Sequence, residues 1–217
     1  MITNICFHGI GVCTREREEG ESRYWVRESH FHRMLDEIAT HPNVRLSFDD
    51  GNVSDAAVAL PAMEDRGLTG TFFALAGRLE DPASLSPADL RLLRDAGMRI
   101  GNHGWSHIPW RGMSDEVATR ELIEARVVLG VASGGPVDEA ALPLGRYDRG
   151  VLRRLRAGNY TAVFTSDRFP ARRESGFQAR YSVTSEDTRE SIRDLILRRP
   201  GIRDARNVLK STVKRVR

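Results

Sequence analysis

The 217-residue sequence holds only two cysteines, Cys6 and Cys13, both near the N-terminus. Two thiols so placed form neither the staple framework of a small secreted domain nor the paired clusters of a zinc ribbon. No apolar run reaches the roughly eighteen residues that a transmembrane α-helix needs, which excludes such a span. The N-terminal stretch MITNICFHGIG lacks a basic segment followed by a long apolar one, so no signal peptide is expected and the expected compartment is the cytoplasm. Internal repeats, low-complexity tracts and long Gly/Ser/Pro linkers are also missing, which argues against an array of domains. What is present is 40% hydrophobic and 29% charged residues, the composition of a globular chain long enough to bury a core without disulfides.

Charge is unevenly spread. From Thr188 to Arg217 there are ten Lys/Arg against three Asp/Glu, a balance of +7, and the rest of the chain carries 23 basic against 27 acidic residues, a balance of −4. The basic character therefore belongs to the C-terminal segment. Residues 201–217 read as a basic, solvated helical tail that could touch an anionic membrane surface weakly. No nucleic-acid partner is expected, and oligomeric state is left open.

Short apolar runs alternate with helical patterns. Strands are expected at Ile5–His8, Val44–Phe48, Gly70–Leu75, Met98–Gly101, Ala140–Pro143, Thr161–Thr165 and Ala179–Val183. Ser86-Pro87 opens a helix that Gly97 closes, Ser54 opens one interrupted by Pro61, Ser114 starts a longer one, and Tyr147–Ala157 carries an apolar stripe. Strand and helix in alternation imply parallel strands with crossover helices, an α/β fold. Some seven strands in one domain favour a TIM-like barrel, whose functional groups gather at the C-terminal ends of the strands.

The polar clusters fall at those ends. The second strand runs into Asp49-Asp50-Gly51, adjacent carboxylates that repel one another and that strands disfavour. A divalent cation would relieve the repulsion at one of the pair and leave the other free as a base; an N-cap followed by a turn Asp would also account for them. The fourth strand ends in Asn102-His103-Gly104-Trp105-Ser106-His107. Histidines four apart share one face of a helical turn, with about 5–6 Å between Cβ atoms, and can converge on one cation. The two clusters together specify a catalytic divalent site of one Asp and two His, with a spare Asp beside it.

Ser47-Phe48-Asp49-Asp50-Gly51 resembles the first motif of the polysaccharide deacetylases, the NodB-homology domain of carbohydrate esterase family 4, and Asn102–His107 resembles the second. Gly70-Thr71-Phe72-Phe73 is similar to the family's third-strand signature, and Ala141-Leu142-Pro143-Leu144-Gly145 to its third motif. The similarity runs from Ile5 through Asp167. It implies an irregular, partly open (β/α) barrel and a catalytic domain over residues 1–200. It further implies hydrolysis of acetyl groups on N-acetylated or O-acetylated sugars of a polysaccharide or glycan precursor. Asp49 would be the base, and Asp50, His103 and His107 the ligands of a divalent metal, with zinc expected and cobalt or nickel as alternatives.

The sequence also departs from that family. Ala141 stands where the third motif carries an Arg that steadies the base, Gly104 where Ser or Thr is common, and no histidine follows His107 to act as the family's general acid. His8, ending the first strand before Gly9, is the leading replacement acid, with Asp167 as its orienting carboxylate. Trp105 and Trp110 flank the metal loop as candidates for a sugar-stacking wall. Tyr24 and Trp25 read as packing or loop contacts, His30 and His32 as a helix start, and His41 as a loop residue. Gly9-x-Gly11 lacks the remaining glycine of a dinucleotide fingerprint, so no nucleotide is expected. Two other readings fit the same motifs: a catalytically silent carbohydrate-binding domain, and a metal-dependent amidase acting on a small non-sugar amide.

Overall fold

In the computed structural model, which describes residues 1–217, seven strands alternate with helices. The strands are β1 (Thr3–Phe7), β2 (Val44–Phe48), β3 (Gly70–Ala74), β4 (Arg99–Asn102), β5 (Glu139–Ala141), β6 (Ala162–Thr165) and β7 (Phe177–Ser182). They pair in chain order, all parallel, and β7 pairs with β1 to close the ring. The expected (β/α) barrel of about seven parallel strands is present. Its irregularity lies between β4 and the short β5, which share the single register pair Asn102↔Ala140.

Alternation along the strands separates two interiors. Phe7, Phe48 and Phe72 face the surrounding helices, where Phe7 meets Phe31 edge-on at 5.0 Å and Phe48 stacks on Phe72 at 4.5 Å. Phe31, Met34, Leu35 and Ile38 of α1 (Glu28–Ile38) complete this layer. The alternate positions line the barrel interior with polar groups that bond one another, beside the rings of Phe73 and Phe164. Asn4 donates to Gln178 (3.0 Å), Thr71 to Glu139 (2.8 Å) and Arg180 to Ser47 (3.0 Å), and all six residues are buried.

Most helix signals act as read; Ser54 does not cap its helix, because its backbone is already helical and its hydroxyl accepts from Ile10 N–H at 3.1 Å. Ser86 and Asp89 form a capping box on α3 (Pro87–Asp95), with Pro87 in the first turn. Pro61, which has no N–H to donate, lies in α2 (Leu60–Glu64) just after a π turn at Asp55–Ala59. The long helix from Ser114 is α4 (Asp115–Ala118) and α5 (Ala125–Ser133), joined by a second π turn at Thr119–Glu124. Asp148 caps α6 (Arg149–Ala157), and Thr188 caps α7 (Arg189–Leu197). The basic terminal segment forms α8 (Ile202–Val216), seated against the barrel through Asp204 and Ser211. No helix is long and apolar enough to cross a membrane.

Candidate active site

The C-terminal ends of β1, β2, β4 and β7 open onto a cavity of about 210 Å³ lined by His8, Asp49, Asp50, His103, His107 and Arg180 among others. A helix-facing phenylalanine ends β1 and β2, so the next residues, His8 and Asp49, follow at the mouth of the barrel. Three of the lining residues, Asp50 (φ 74°), His107 (φ 55°) and Leu144 (φ 55°), hold left-handed backbone that side chains ordinarily avoid. Strain of this kind persists where surrounding structure over-determines it, and it concentrates at functional sites.

Asp50 Oδ1 lies 3.4 Å from His103 Nε2 and 3.2 Å from His107 Nε2. That oxygen is buried and has no hydrogen-bond partner. A tetrahedral cation bound at about 2.0–2.1 Å would set its ligand atoms roughly 3.4 Å apart, so the three residues fit such an ion. Both rings are turned by their other nitrogen: His103 Nδ1 meets the Ala141 carbonyl oxygen at 2.9 Å, and His107 Nδ1 is bonded to Glu18, which Arg78 holds at 3.2 Å. Such partners fix the tautomer and aim a ligating nitrogen. Burial opposes ionisation of Asp50, but His103, His8 and His107 outweigh it and hold the carboxyl well below its usual range. His103 is displaced upward: burial works against its charge, and Asp49 and Asp50 more than offset that.

Asp49 has a different partner. Arg180 of β7 grips it with two parallel bonds, Nη1 to Oδ1 at 2.6 Å and Nη2 to Oδ2 at 2.7 Å. Burial pushes Asp49 up, and the guanidinium more than compensates, leaving the carboxyl below its ordinary value. The Arg missing from position 141 on β5 is thus matched by one on β7. The sequence carries one signal for it, a charged residue between Ala179 and Tyr181 within a strand segment. An inward Arg there requires a buried acid.

His8 lies in the cavity, half-buried, with its ring 4.9 Å from that of Tyr24 and its Nδ1 unpartnered. A nitrogen of His8 and a carboxylate oxygen of Asp49 lie within 4.8 Å of one another. Burial lowers the His8 pKa, and the neighbouring carboxylates only partly restore it. Gly9 follows because the Trp25 indole rests on it; a Cβ there would come within 2.1 Å of the ring. Asp55, opening the π turn, is buried with neither carboxyl oxygen paired. Burial, aided by Asp50 and Asp49, drives its pKa well up.

Three expected site residues lie elsewhere. Asp167 does not orient His8: its oxygens are taken by Tyr147 (2.6 Å), Thr165 (3.0 Å) and Lys214 (2.7 Å), which tie β6 to α8. Trp110 forms no sugar-stacking wall, because it is fully buried among Ala118, Leu122 and Leu142. Trp105 is half-buried under Arg120 at 4.7 Å and packs on Gly77, outside the cavity lining. Conversely Tyr24, read as a packing residue, lines the cavity, as do Glu18, Glu19 and Glu21 from the same loop. Glu121, delivered by the second π turn, accepts the backbone N–H of Trp105 (2.7 Å) and Ser106 (3.1 Å), and so shapes the loop between the two histidines. A Cβ at residue 104 would stand 2.3 Å from Glu121 Oε2, which accounts for Gly104.

The family model described as polysaccharide deacetylase matches residues 37–163, more than half of the chain. That range contains Asp49, Asp50, His103 and His107; His8 and Arg180 lie outside it. No curated protein matches the sequence. Among solved structures, the Streptococcus pyogenes deacetylase PplD in complex with acetate is 20% identical, with TM-score 0.78 over 91% of this chain and 98% of that one. BC0361, a polysaccharide deacetylase from Bacillus cereus, is 16% identical, with TM-score 0.76 over 90% of this chain and 68% of that one. IcaB from Ammonifex degensii is 18% identical, with TM-score 0.74 over 91% and 97%. These likenesses show the fold; the match over residues 37–163 shows more, and the chain belongs to the polysaccharide deacetylase family as an enzyme of the deacetylase class.

Proposed function

We propose that the protein hydrolyses acetyl groups from N-acetylated or O-acetylated sugars of a polysaccharide or glycan precursor. In this reading Asp49 is the base, His8 the proton donor, and Asp50, His103 and His107 hold a divalent cation, zinc first, with cobalt or nickel as alternatives. The observation that carries it is the orphaned, buried Asp50 Oδ1 facing two imidazole nitrogens, beside a second carboxylate whose charge Arg180 offsets separately. Bound there, a cation would supply Lewis-acid polarisation of the acetyl carbonyl and positive charge for the oxyanion.

The chain's own residues supply the proton movements. Each Asp49 oxygen spends one lone-pair direction on Arg180 and keeps another for the attacking water. As the water oxygen bonds to the acetyl carbon, its proton passes to Asp49. Asp49 hands that proton to His8 across the gap of under 4.8 Å, and as the carbon–nitrogen bond breaks its electron pair takes the proton from the His8 imidazolium, which returns both side chains to their starting states. Acetate and a free amine result; for an ester the leaving atom is oxygen. Glu18, Glu19, Glu21, Arg78, Ser166 and Ser182 give the cavity a polar wall suited to sugar hydroxyls. The pairing of Asp49 with Arg180 favours an active enzyme over a silent binding domain, which has no use for a steadied base.

An acetate-release screen of the metal-loaded protein over N- and O-acetylated oligosaccharides tests the proposal. Release from at least one sugar substrate supports it. Tight glycan binding without acetate would favour the silent domain, and turnover confined to small non-sugar amides would favour the amidase.

A further inference from the structure

The helix α8 presents its polar residues to the barrel and its apolar ones to solvent. On the packed side Asp204 accepts from Arg198 (2.6 Å) and Tyr181 (3.0 Å), Ser211 meets the Tyr147 hydroxyl (3.0 Å), and Lys214 reaches Asp167 and the Gly145 carbonyl oxygen at the cavity wall (3.3 Å). On the outer side stand Ile202, Leu209, Val213 and Val216, exposed by 91%, 66%, 53% and 68%. Their spacing places all four in one stripe along the helix. Arg203, Arg206, Lys210 and Arg217 are exposed along one flank of that stripe. The single acid of residues 202–217, Asp204, is buried under Arg198, so the outer face carries no negative charge.

We propose that α8 is a membrane-docking helix that lies in the surface of an anionic bilayer. The apolar stripe enters the boundary between headgroups and acyl chains, and the flanking cations meet lipid phosphates. Charge complementarity selects this occupant. A second copy of the helix would set two basic flanks against each other with no carboxylate to pair them. A polynucleotide would satisfy the cations but leave four aliphatic side chains in water. The docking is independent of the catalytic reading.

Co-sedimentation of the full chain with vesicles tests it, comparing pure phosphatidylcholine with phosphatidylcholine containing about 30% phosphatidylglycerol. We expect binding at least about tenfold stronger to the anionic vesicles, weakened by salt. Leu209→Glu with Val213→Glu should weaken it by about tenfold or more, and Arg206→Gln with Lys210→Gln should weaken it and flatten its salt dependence. Far-UV circular dichroism and acetate release from a soluble oligosaccharide should stay unchanged in both double variants. Absence of binding to anionic vesicles would overturn the proposal, as would equal binding by wild type and the Leu209/Val213 variant. A dimer in sedimentation equilibrium that the same variant dissolves would assign the stripe to a second copy instead.

Discussion

Replacing Arg180 with Met separates the base from its counter-ion without emptying the space that the side chain fills. The guanidinium is buried inside the barrel, bonded to both Asp49 oxygens and set against Phe73 and Phe164 at 5.3 and 5.7 Å. With charge centres about 4 Å apart and an effective dielectric near 20, the attraction is about 4 kcal/mol. Removing it would raise the Asp49 pKa, because burial would then act on the carboxyl without the guanidinium to oppose it. In the wild type the depressed pKa means that the pair's stabilisation is present above the unfolded value of about 3.9 and is lost as pH falls through the folded value. In Arg180→Met the folded value moves above the unfolded one, so the penalty grows with rising pH. Denaturant unfolding of the metal-stripped protein should therefore show a loss of about 3–5 kcal/mol near pH 8 and a smaller one near pH 5. The acid limb of kcat/KM for acetate release should move upward, and Arg180→Lys should restore it in part, since one ammonium cannot reproduce the two-pronged grip. An unmoved acid limb together with unchanged stability would refute the role given to Arg180.

His8→Gln should lower deacetylation by about 10²–10⁴-fold while leaving zinc affinity, read by calorimetric titration, within a few-fold of wild type; undiminished turnover would remove His8 from the chemistry. Glu18→Gln should weaken metal binding by about 10–100-fold, because His107 loses the carboxylate that fixes its tautomer, and competition with a chromophoric chelator would measure it. Asp55→Asn should stabilise the protein near pH 8 and have little effect near pH 4. The folded pKa of Asp55 is raised, so stability is present below its unfolded value and lost as pH rises through the folded one, and an amide removes that dependence. Thermal unfolding at the two pH values would show it.

The parts of the molecule legible in the sequence are those specified by neighbours along the chain. Val44–Phe48 leading into Asp49-Asp50-Gly51 and the Ser86-Pro87 cap are local signals, and local geometry honours both. His103 and His107 converge as their pairing implied, but not on the face of a helical turn: residues 103–107 are an irregular loop with left-handed backbone at Gly104 and His107, held by Glu121. What escaped is set by the closure of the barrel. Arg180 reaches Asp49 only because β7 returns beside β1, 131 residues away in the chain. Glu18 reaches His107 because a loop folds back over the mouth, where the Gly9 carbonyl oxygen accepts from Val26 N–H at 2.9 Å. Trp105 and Trp110 were misjudged for a related reason: adjacency to the metal loop says nothing about which way an indole turns. Glu121 turns Trp110 inward to a buried contact at 3.4 Å, while Arg120 covers Trp105. Asp167 was assigned by its position at a strand end, and the docking of α8 redirects it to Lys214.

The central claim is that one cation held by Asp50, His103 and His107 enables hydrolysis with Asp49 as the base. Titrating zinc back into the chelator-stripped protein while following acetate release tests it most directly. The account predicts no release without metal, a rise that saturates at one equivalent, and an Asp49→Asn variant that binds that equivalent yet turns over about 10²–10⁴-fold more slowly. Full activity in the stripped protein, or loss of the bound equivalent in Asp49→Asn, would contradict it.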